Sequence, residues 1–362
     1  MAKRPSASLR DVARLAGCSI STSSRALTQP HLVREETVKA VQRAAKKLGY
    51  IPHAAGRALS SRRTRTVGAV LPTLDNAIFA NTAYALQKRL GEHEYMLLLA
   101  CSDFSLENEL KVARMLLERG VDGLVLTGLE HDPALLALLE AAGVPFVFTW
   151  AFDESLRYDC VGFDNRKAGA LMANHIAQLG HAKIAVISAY TRHNERQRER
   201  LNGIKAALDS RGIELPEERI IESEFSYRSG REGVRKLLVY DDTPTAIICT
   251  NDVIAIGAMA ECQEMGLRIP ADISISGFED LQIASNVVPA LTTVRWSQHA
   301  LGTHAADLIL ARLASDGGMP RQIEVPLDLI VRDTTAPPGR LAVARHQLPA
   351  SAKLARRKLQ TS

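Results

Sequence analysis

The chain of 362 residues has five cysteines, Cys18, Cys101, Cys160, Cys249 and Cys262. Their odd number and the lack of any Cys-x-x-Cys pair exclude a disulfide framework and the usual zinc spacing. No apolar run approaches the roughly 18 residues that a bilayer-spanning helix needs. The leader Met1-Ala-Lys-Arg-Pro-Ser-Ala-Ser8 has no apolar core to direct export, so a reduced, cytoplasmic protein without a membrane partner is expected. Catalytic signatures are missing too. There is no GxGxxG, no GxxxxGK[ST], no HExxH and no GxSxG, which removes support for dinucleotide, P-loop, zinc-hydrolase and serine-nucleophile chemistry. His175 and His181, like His299 and His304, lack a spacing that would converge on a metal. No metal and no cofactor are expected, and a binding function is favoured over an enzyme.

Acidic residues are scarce at the amino terminus. The first 66 residues hold fourteen Lys and Arg against three Asp and Glu, a net +11 in a chain whose total is +5. The last 23 residues, Arg340 to Ser362, add six basic residues and no acidic one, so residues 67–339 sum to −12. Charge segregated in this way predicts a polyanion held at one end with the acidic body turned away.

A solvated basic arm would carry the same charge, but not the periodicity. Leu9, Val12, Ala13 and Ala16 form one apolar helical stripe, and Gly17 then supplies a residue that tolerates positive φ. Ser19 offers an oxygen to cap a second helix over about Ile20 to Leu27. A third helix is legible from Glu35 to Leu48, with Val38, Val41, Ala45 and Leu48 inward and Gly49 as its stop. Three short helices of this kind make an all-α helix-turn-helix headpiece over residues 1–50. The second helix enters the major groove by its amino end, which places Ile20, Ser21 and Arg25 near base edges and Ser19, Thr22 and Ser24 near phosphates.

The run from Asp11 to Arg25, followed by Gly49-Tyr-Ile-Pro52 and Arg57-Ala-Leu59, resembles the headpiece and hinge of the lactose/galactose repressor family. The resemblance implies that residues 51–65 are a hinge that becomes helical on specific DNA. Arg57 and Leu59 then contact DNA, with Leu59 as the wedge that enters the minor groove and kinks the duplex. Two positions depart from the family pattern. Cys18 stands where valine is usual, and Ser23 where an apolar residue packs beneath the recognition helix. A buried hydroxyl costs about 1–3 kcal/mol unless it finds a partner, and a carbonyl one turn back is the expected one. Gly56 and His53, where alanine and asparagine are common, predict a hinge without order in the absence of operator.

From Thr66 onward the pattern changes. Short apolar runs at Val67–Leu71, Tyr95–Ala100, Gly123–Thr127, Pro145–Thr149, Lys183–Ser188, Ala246–Thr250 and Ile273–Gly277 alternate with amphipathic helical stretches. Leu106, Leu110, Ala113 and Leu117, for example, keep helical spacing and Gly120 ends their run. This is the signature of parallel βαβ sheets covered on both faces. The resemblance extends to about Pro338 and implies an α/β, two-lobed, periplasmic-binding-protein-like core over 66–338. Lobe 1 is expected at about 66–164 and 294–325, and lobe 2 at about 165–293 and 326–338. Residues 339–362 form a basic tail, expected to be disordered: Leu341, Leu348, Leu354 and Leu359 keep no steady heptad, and Pro349 interrupts them.

Two-lobed α/β folds take small molecules beyond the carboxyl ends of their strands. Residue by residue, Phe79, Arg200, Phe225, Asn251 and Glu279 match positions the family uses for its effector, and Trp150 ends the fourth strand beside them. Facing rings suit a sugar face or flat ring, while Arg200 suits a carboxylate or hydroxyl. Glu279 replaces the family's usual aspartate, and Trp150 stands where sugar-binding members often carry one. Arg192, Arg196 and Arg198 add positive charge, and Val161–Asn165 with Glu261–Pro270 look most like the gluconate-type branch, so a sugar acid is favoured among sugars. The expected protein is a homodimeric transcriptional regulator, a repressor by resemblance, whose hold on operator DNA depends on a small-molecule effector. An exported two-lobed receptor is the main competitor, and an enzyme acting on a sugar a remote one.

Overall fold

The computed structural model describes residues 7–51, 63–152, 157–239, 243–315 and 318–339. The chain separates into two compact units, one ending at Thr66 and the other beginning at Val67. Arg57 and Leu59, with His53, Gly56 and most of the expected hinge, lie outside the described residues, as does the tail beyond Gly339.

The first unit has α1 (Leu9–Ala16), α2 (Ile20–Thr28), a short 3-10 turn at Pro30–Leu32, and α3 (Glu35–Leu48). Ser8 and Asp11 cap α1 reciprocally: the Ser8 Oγ accepts the Asp11 N–H at 3.3 Å, and the Asp11 carboxylate accepts the Ser8 N–H at 3.0 Å. Val12, Ala26, Val38, Val41, Ala44 and Ala45 form the core. Leu48, expected inward, is 37% exposed. Ala44 is buried instead, and Tyr50, beyond the left-handed Gly49, packs against the core.

Among the described residues the second unit is built on two sheets of six strands each. The first runs β11-β5-β4-β3-β1-β2, with β1 (Thr66–Leu71), β2 (Met96–Cys101), β3 (Gly123–Thr127), β4 (Phe146–Thr149), β5 (Cys160–Gly162) and β11 (Gln322–Glu324). The second runs β12-β10-β9-β8-β6-β7, with β6 (Ile184–Ala189), β7 (Ile220–Ser223), β8 (Ala246–Cys249), β9 (Ser274–Phe278), β10 (Thr292–Arg295) and β12 (Asp328–Ile330). Every residue of β3, β6, β8 and β9 is buried, which is why β3, β6 and β8 read as mainly apolar runs; β9 instead buries Ser274 and Ser276 between its apolar side chains. β2 differs: it sits at the sheet edge with Met96 69% exposed and Leu98 and Leu99 also open. β12 pairs antiparallel to β10, whereas β9 pairs parallel to β10.

Chain crossings bring the two lobes together. The chain leaves the first sheet after β5 and enters α7 (Asn165–Gln178) beneath the second. It returns after β10 into α11 (Gln298–Ala314), which packs on α4 (Ala77–Glu92), and crosses a last time between β11 and β12. In the second lobe α7 lies against α8 (Glu195–Asp209) at backbone distance. A Cβ on Gly169 would overlap the Arg200 carbonyl oxygen, and one on Gly203 would overlap that of Arg166. Only glycine at both points lets Arg200 approach the start of α7 this closely.

Two histidines fasten the last described segment to the second lobe. His175 Nε2 lies 3.0 Å from Thr335 Oγ1, and His181 bridges Thr245 Oγ1 and the Ala336 carbonyl, each at 2.8 Å. Burial lowers the pKa of both below the ordinary value of 6.5. The unfolded chain therefore binds more protons in acid, so this contribution to stability is complete above about pH 6.5 and is lost as pH falls. Thermal melts from pH 7.5 to 5 should show a falling Tm, and the slope should flatten in His181→Gln. An unchanged slope in that variant would show that His181 is not responsible.

Candidate functional site

In the first unit the left-handed Gly17 (φ +67°) turns the chain so that Ser19 caps α2. The Ser19 Oγ accepts the Thr22 N–H at 3.0 Å and lies 2.8 Å from the hydroxyls of both Ser21 and Thr22. Ile20, Ser21 and Arg25 are exposed along α2, and Thr22 and Ser24 are half-buried. The side chains assigned to base edges thus stand on the open face of the helix, while Ser23 and Ala26 face the core.

Ser23 is wholly buried, and its partner is not a carbonyl. Its Oγ lies 3.0 Å from the Cys18 Sγ. The two departures from the family pattern are therefore one feature, a hydroxyl and a thiol that satisfy each other where two apolar side chains usually pack. Replacing both partners with apolar groups of matching shape removes the polar burial without leaving an orphan. Cys18→Val with Ser23→Ala should raise the melting temperature of the first unit, whereas Ser23→Ala alone should not. A double variant less stable than the parent would show that the pair contributes more than it costs to bury.

In the second unit Phe79, Trp150, Arg200, Phe225 and Glu279 line one cleft between the lobes, together with Phe104, Phe163, Asn165, Asn194, Arg196, Gln197 and Trp296. The rings form a chain: Phe79 meets Phe104 edge-on at 6.5 Å, Trp150 at 5.0 Å, and Trp150 meets Trp296 at 6.4 Å. The space between the walls is about 20 Å³, room for one water molecule. Asn251 is not among these residues. It caps α10 (Asp252–Glu264), its Oδ1 accepting the Ile254 N–H at 2.8 Å.

Arg200 is buried from water yet fully charged in its contacts. One Nη donates to the Thr250 carbonyl at 2.5 Å and the other to the Asn165 Oδ1 at 2.9 Å, while its guanidinium lies 4.8 Å over Phe278. Burial lowers its pKa to about 10, opposed by the nearby Glu279. Burial likewise pushes the Glu279 carboxyl well above its usual range, with Asp252 adding to the shift and Arg200 opposing it. Asp252, raised to about 7 chiefly by burial, is held by Thr293 Oγ1 at 2.7 Å and the Leu281 N–H at 2.8 Å. Trp150 and Glu279 both adopt positive φ, +71° and +110°, a strained backbone for non-glycine residues that concentrates at ligand sites. Asn165 steadies the first of these, donating to the Trp150 carbonyl at 3.1 Å.

Several polar atoms at this cleft are buried without a hydrogen-bond partner. They are the indole Nε1 of Trp150 and Trp296, the Nε of Arg200, the Oδ1 of Asn194, the Oε1 of Gln197 and the Oε2 of Glu279. Buried polar atoms are rarely left so in folded proteins, and here they gather on one cleft. At its rim the loop after β3 meets the start of α8. The Leu129 N–H donates to the Glu195 Oε1 at 2.7 Å, and Arg198 pairs with Glu130 at 2.8 Å. Asn194, Gln197 and Trp296 carried no sequence signal. Their part depends on where α8 starts and where the chain returns from β10.

Among the described residues no three His, Cys, Asp or Glu side chains gather as a metal-ligand set, and no helix is long and apolar enough to cross a membrane. Comparison with known proteins supplies the context. The family of bacterial regulatory proteins, lacI family, matches residues 8–53. The family of periplasmic binding proteins and sugar binding domain of LacI family matches residues 64–333. The HTH-type transcriptional repressor PurR of Escherichia coli O1:K1 / APEC is 33% identical over 91% of this chain and 97% of its own length. The structure of the Lac repressor dimer bound to operator and the anti-inducer ONPF is similar with a TM-score of 0.81 and 27% identity, over 91% of this chain and 99% of that one. Transcription regulator GntR from Chromobacterium violaceum is similar with a TM-score of 0.71 and 29% identity, over 74% of this chain and 98% of that one.

Proposed function

The chain belongs to the LacI family of bacterial regulatory proteins, and from that premise we propose that it is a cytoplasmic, homodimeric repressor whose grip on a specific DNA operator is set by a sugar or sugar acid held between its lobes. Regulation and not catalysis is the activity of this family. The observation that carries the ligand half of this reading is the set of unpartnered buried atoms around the aromatic cleft. Three are donors, two are amide oxygens and one belongs to a carboxyl group. Hydroxyl groups, which both donate and accept, answer all three kinds, and the rings suit the apolar face of a sugar. Because the space between the walls holds only one water, a metabolite enters with the lobes parted and is held with the walls further apart than they stand here. A ligand that prefers one posture shifts the population toward it, and by linkage the operator affinity changes by the same factor.

The DNA half rests on the exposed face of α2. Arg25 presents a guanidinium suited to the O6 and N7 of guanine, and Ile20 an apolar surface suited to a thymine methyl. Binding-site selection from random duplexes, followed by competition assays, tests the reading directly. Arg25→Ala should lose about 1–3 kcal/mol of discrimination at one base position. Uniform weakening on every sequence would make Arg25 a phosphate contact, and no preference for any duplex would overturn the regulator itself.

Dimerisation is supported by the open edge of the first sheet. Met96 at 69% exposure, Leu98 and Leu99 on β2, Tyr84 at 66% on α4 and Met115 on α5 (Leu106–Glu118) are exposed apolar side chains on this edge strand and the two helices that contact it. An apolar edge strand left uncovered invites aggregation. Light scattering should give a dimer for the parent chain and a monomer for Met96→Glu combined with Leu98→Glu. A dimer that survives both changes would move the interface elsewhere.

A further inference from the structure

We propose that the second-lobe side of this cleft is a built subsite for an anionic group, a carboxylate or phosphate carried by the ligand, and that Arg196 is the residue that reads its charge. The proposal rests on the cleft being the effector site and names what that effector must bear.

The four arginines of the 192–200 segment do not share one role. Arg192 is exposed. Arg198 pairs with Glu130 and also donates to the Thr191 carbonyl at 3.2 Å. Arg200 has both Nη groups engaged by Thr250 and Asn165, and its charge faces Glu279, so only its Nε is left for a ligand. Arg196 is different. It lines the cleft half-buried, and no acidic side chain pairs with it among the described residues. The opposite lobe makes room for it: Gly128, at φ +92°, lies against the Arg196 guanidinium and the Glu195 carboxylate, and a Cβ there would overlap both the Arg196 Nη1 and the Glu195 Oε1. That carboxylate is engaged by the Leu129 N–H at 2.7 Å.

The helix end around Arg196 suits an anion for a second reason. Arg196 stands in the first turn of α8, where the helix dipole disfavours a cation and the first N–H groups have no intrahelical partner. Asn194, at the cap position, makes no side-chain cap hydrogen bond. Asn194 and Gln197 are each more than nine-tenths buried, each with an unpartnered side-chain oxygen, and both line the cleft. Rotation of either amide presents its NH2 group instead, which gives an incoming oxyanion two further donors. An anion here would offset the misplaced cation, cap the helix and occupy both amides at once. The rest of the lining, with Glu279, Arg200 and Trp296, is left for the uncharged part of the molecule.

The chain's only two tryptophans, Trp150 and Trp296, both line this cleft, so intrinsic fluorescence reports on it directly. Full-length protein should be titrated with the matched pair D-gluconate and D-glucose, and with acetate and inorganic phosphate as bare anions. The acid should bind about tenfold or more tightly than the neutral sugar, as expected for a charge-assisted contact. Arg196→Gln should erase that preference by weakening D-gluconate binding about tenfold more than D-glucose binding, and Arg196→Lys should restore part of it. The relative strength of acetate and phosphate distinguishes the two anion types. Equal binding of acid and neutral sugar, a preference that survives Arg196→Gln, or tryptophans silent to every anion at tens of millimolar would each overturn the subsite. Anion binding that never alters operator affinity would instead leave the subsite standing and refute the effector reading.

Discussion

A guanidinium buried away from water must be satisfied from inside the protein, and the way Arg200 is satisfied organises the rest of the second unit. Its two Nη groups are held by a backbone carbonyl from the end of β8 and by Asn165, the first residue of α7. That geometry requires α7 and α8 to touch at their backbones, which the glycines at 169 and 203 permit. Asn165 in turn holds the carbonyl of Trp150, so one amide links a second-lobe arginine to a first-lobe ring. The crossover from β5 into α7 therefore acts as more than a tether between lobes. It fixes two donors, the Arg200 Nε and the Trp150 Nε1, that both reach the cleft without a partner.

Positive φ at Trp150 and Glu279 belongs to the same arrangement. Each lies just beyond the end of a strand, where the backbone must turn sharply for its side chain to reach the cleft. A glycine would adopt this backbone with less strain, and an aromatic ring or carboxyl there is retained against local preference. Glu279 is further restrained by Gln298, which donates to its carbonyl at 2.8 Å from the start of α11. Strain, buried charge and most of the missing hydrogen bonds thus coincide in one place.

How much of this was legible in the sequence follows from what each residue depends on. Phe79, Trp150, Arg200 and Glu279 come after predicted strands, and Phe225 after β7, which was not among them; parallel sheets bring such ends together whatever the details of packing. Asn251 also follows a strand end, but an asparagine at a strand-to-helix junction equally signals a helix cap, and there it serves as one. The short strands β5, β10, β11 and β12, of three or four residues, are too brief to show a period, so the return crossing that delivers Trp296 had no signature. In the first unit the stripe on α1 and the cap at Ser19 were readable from spacing alone. The pairing of Cys18 with Ser23 was not, because it joins residues from opposite sides of a turn whose exact path the spacing does not determine.

Magnitudes indicate what governs the posture of the lobes. The rim pair of Arg198 and Glu130 is substantially exposed, at 43% and 31%, and such pairs contribute about 0–1 kcal/mol. Each buried polar atom left without a partner costs about 1–3 kcal/mol, and six of them face the cleft. Even a modest fraction of that total exceeds anything the rim contacts supply. Shifting a two-state equilibrium from one part in a hundred to ninety-nine takes about 5.5 kcal/mol of differential binding, which satisfying a few of these atoms would reach. The rim pair therefore guides how the lobes meet, and the groups inside the cleft decide whether they stay together.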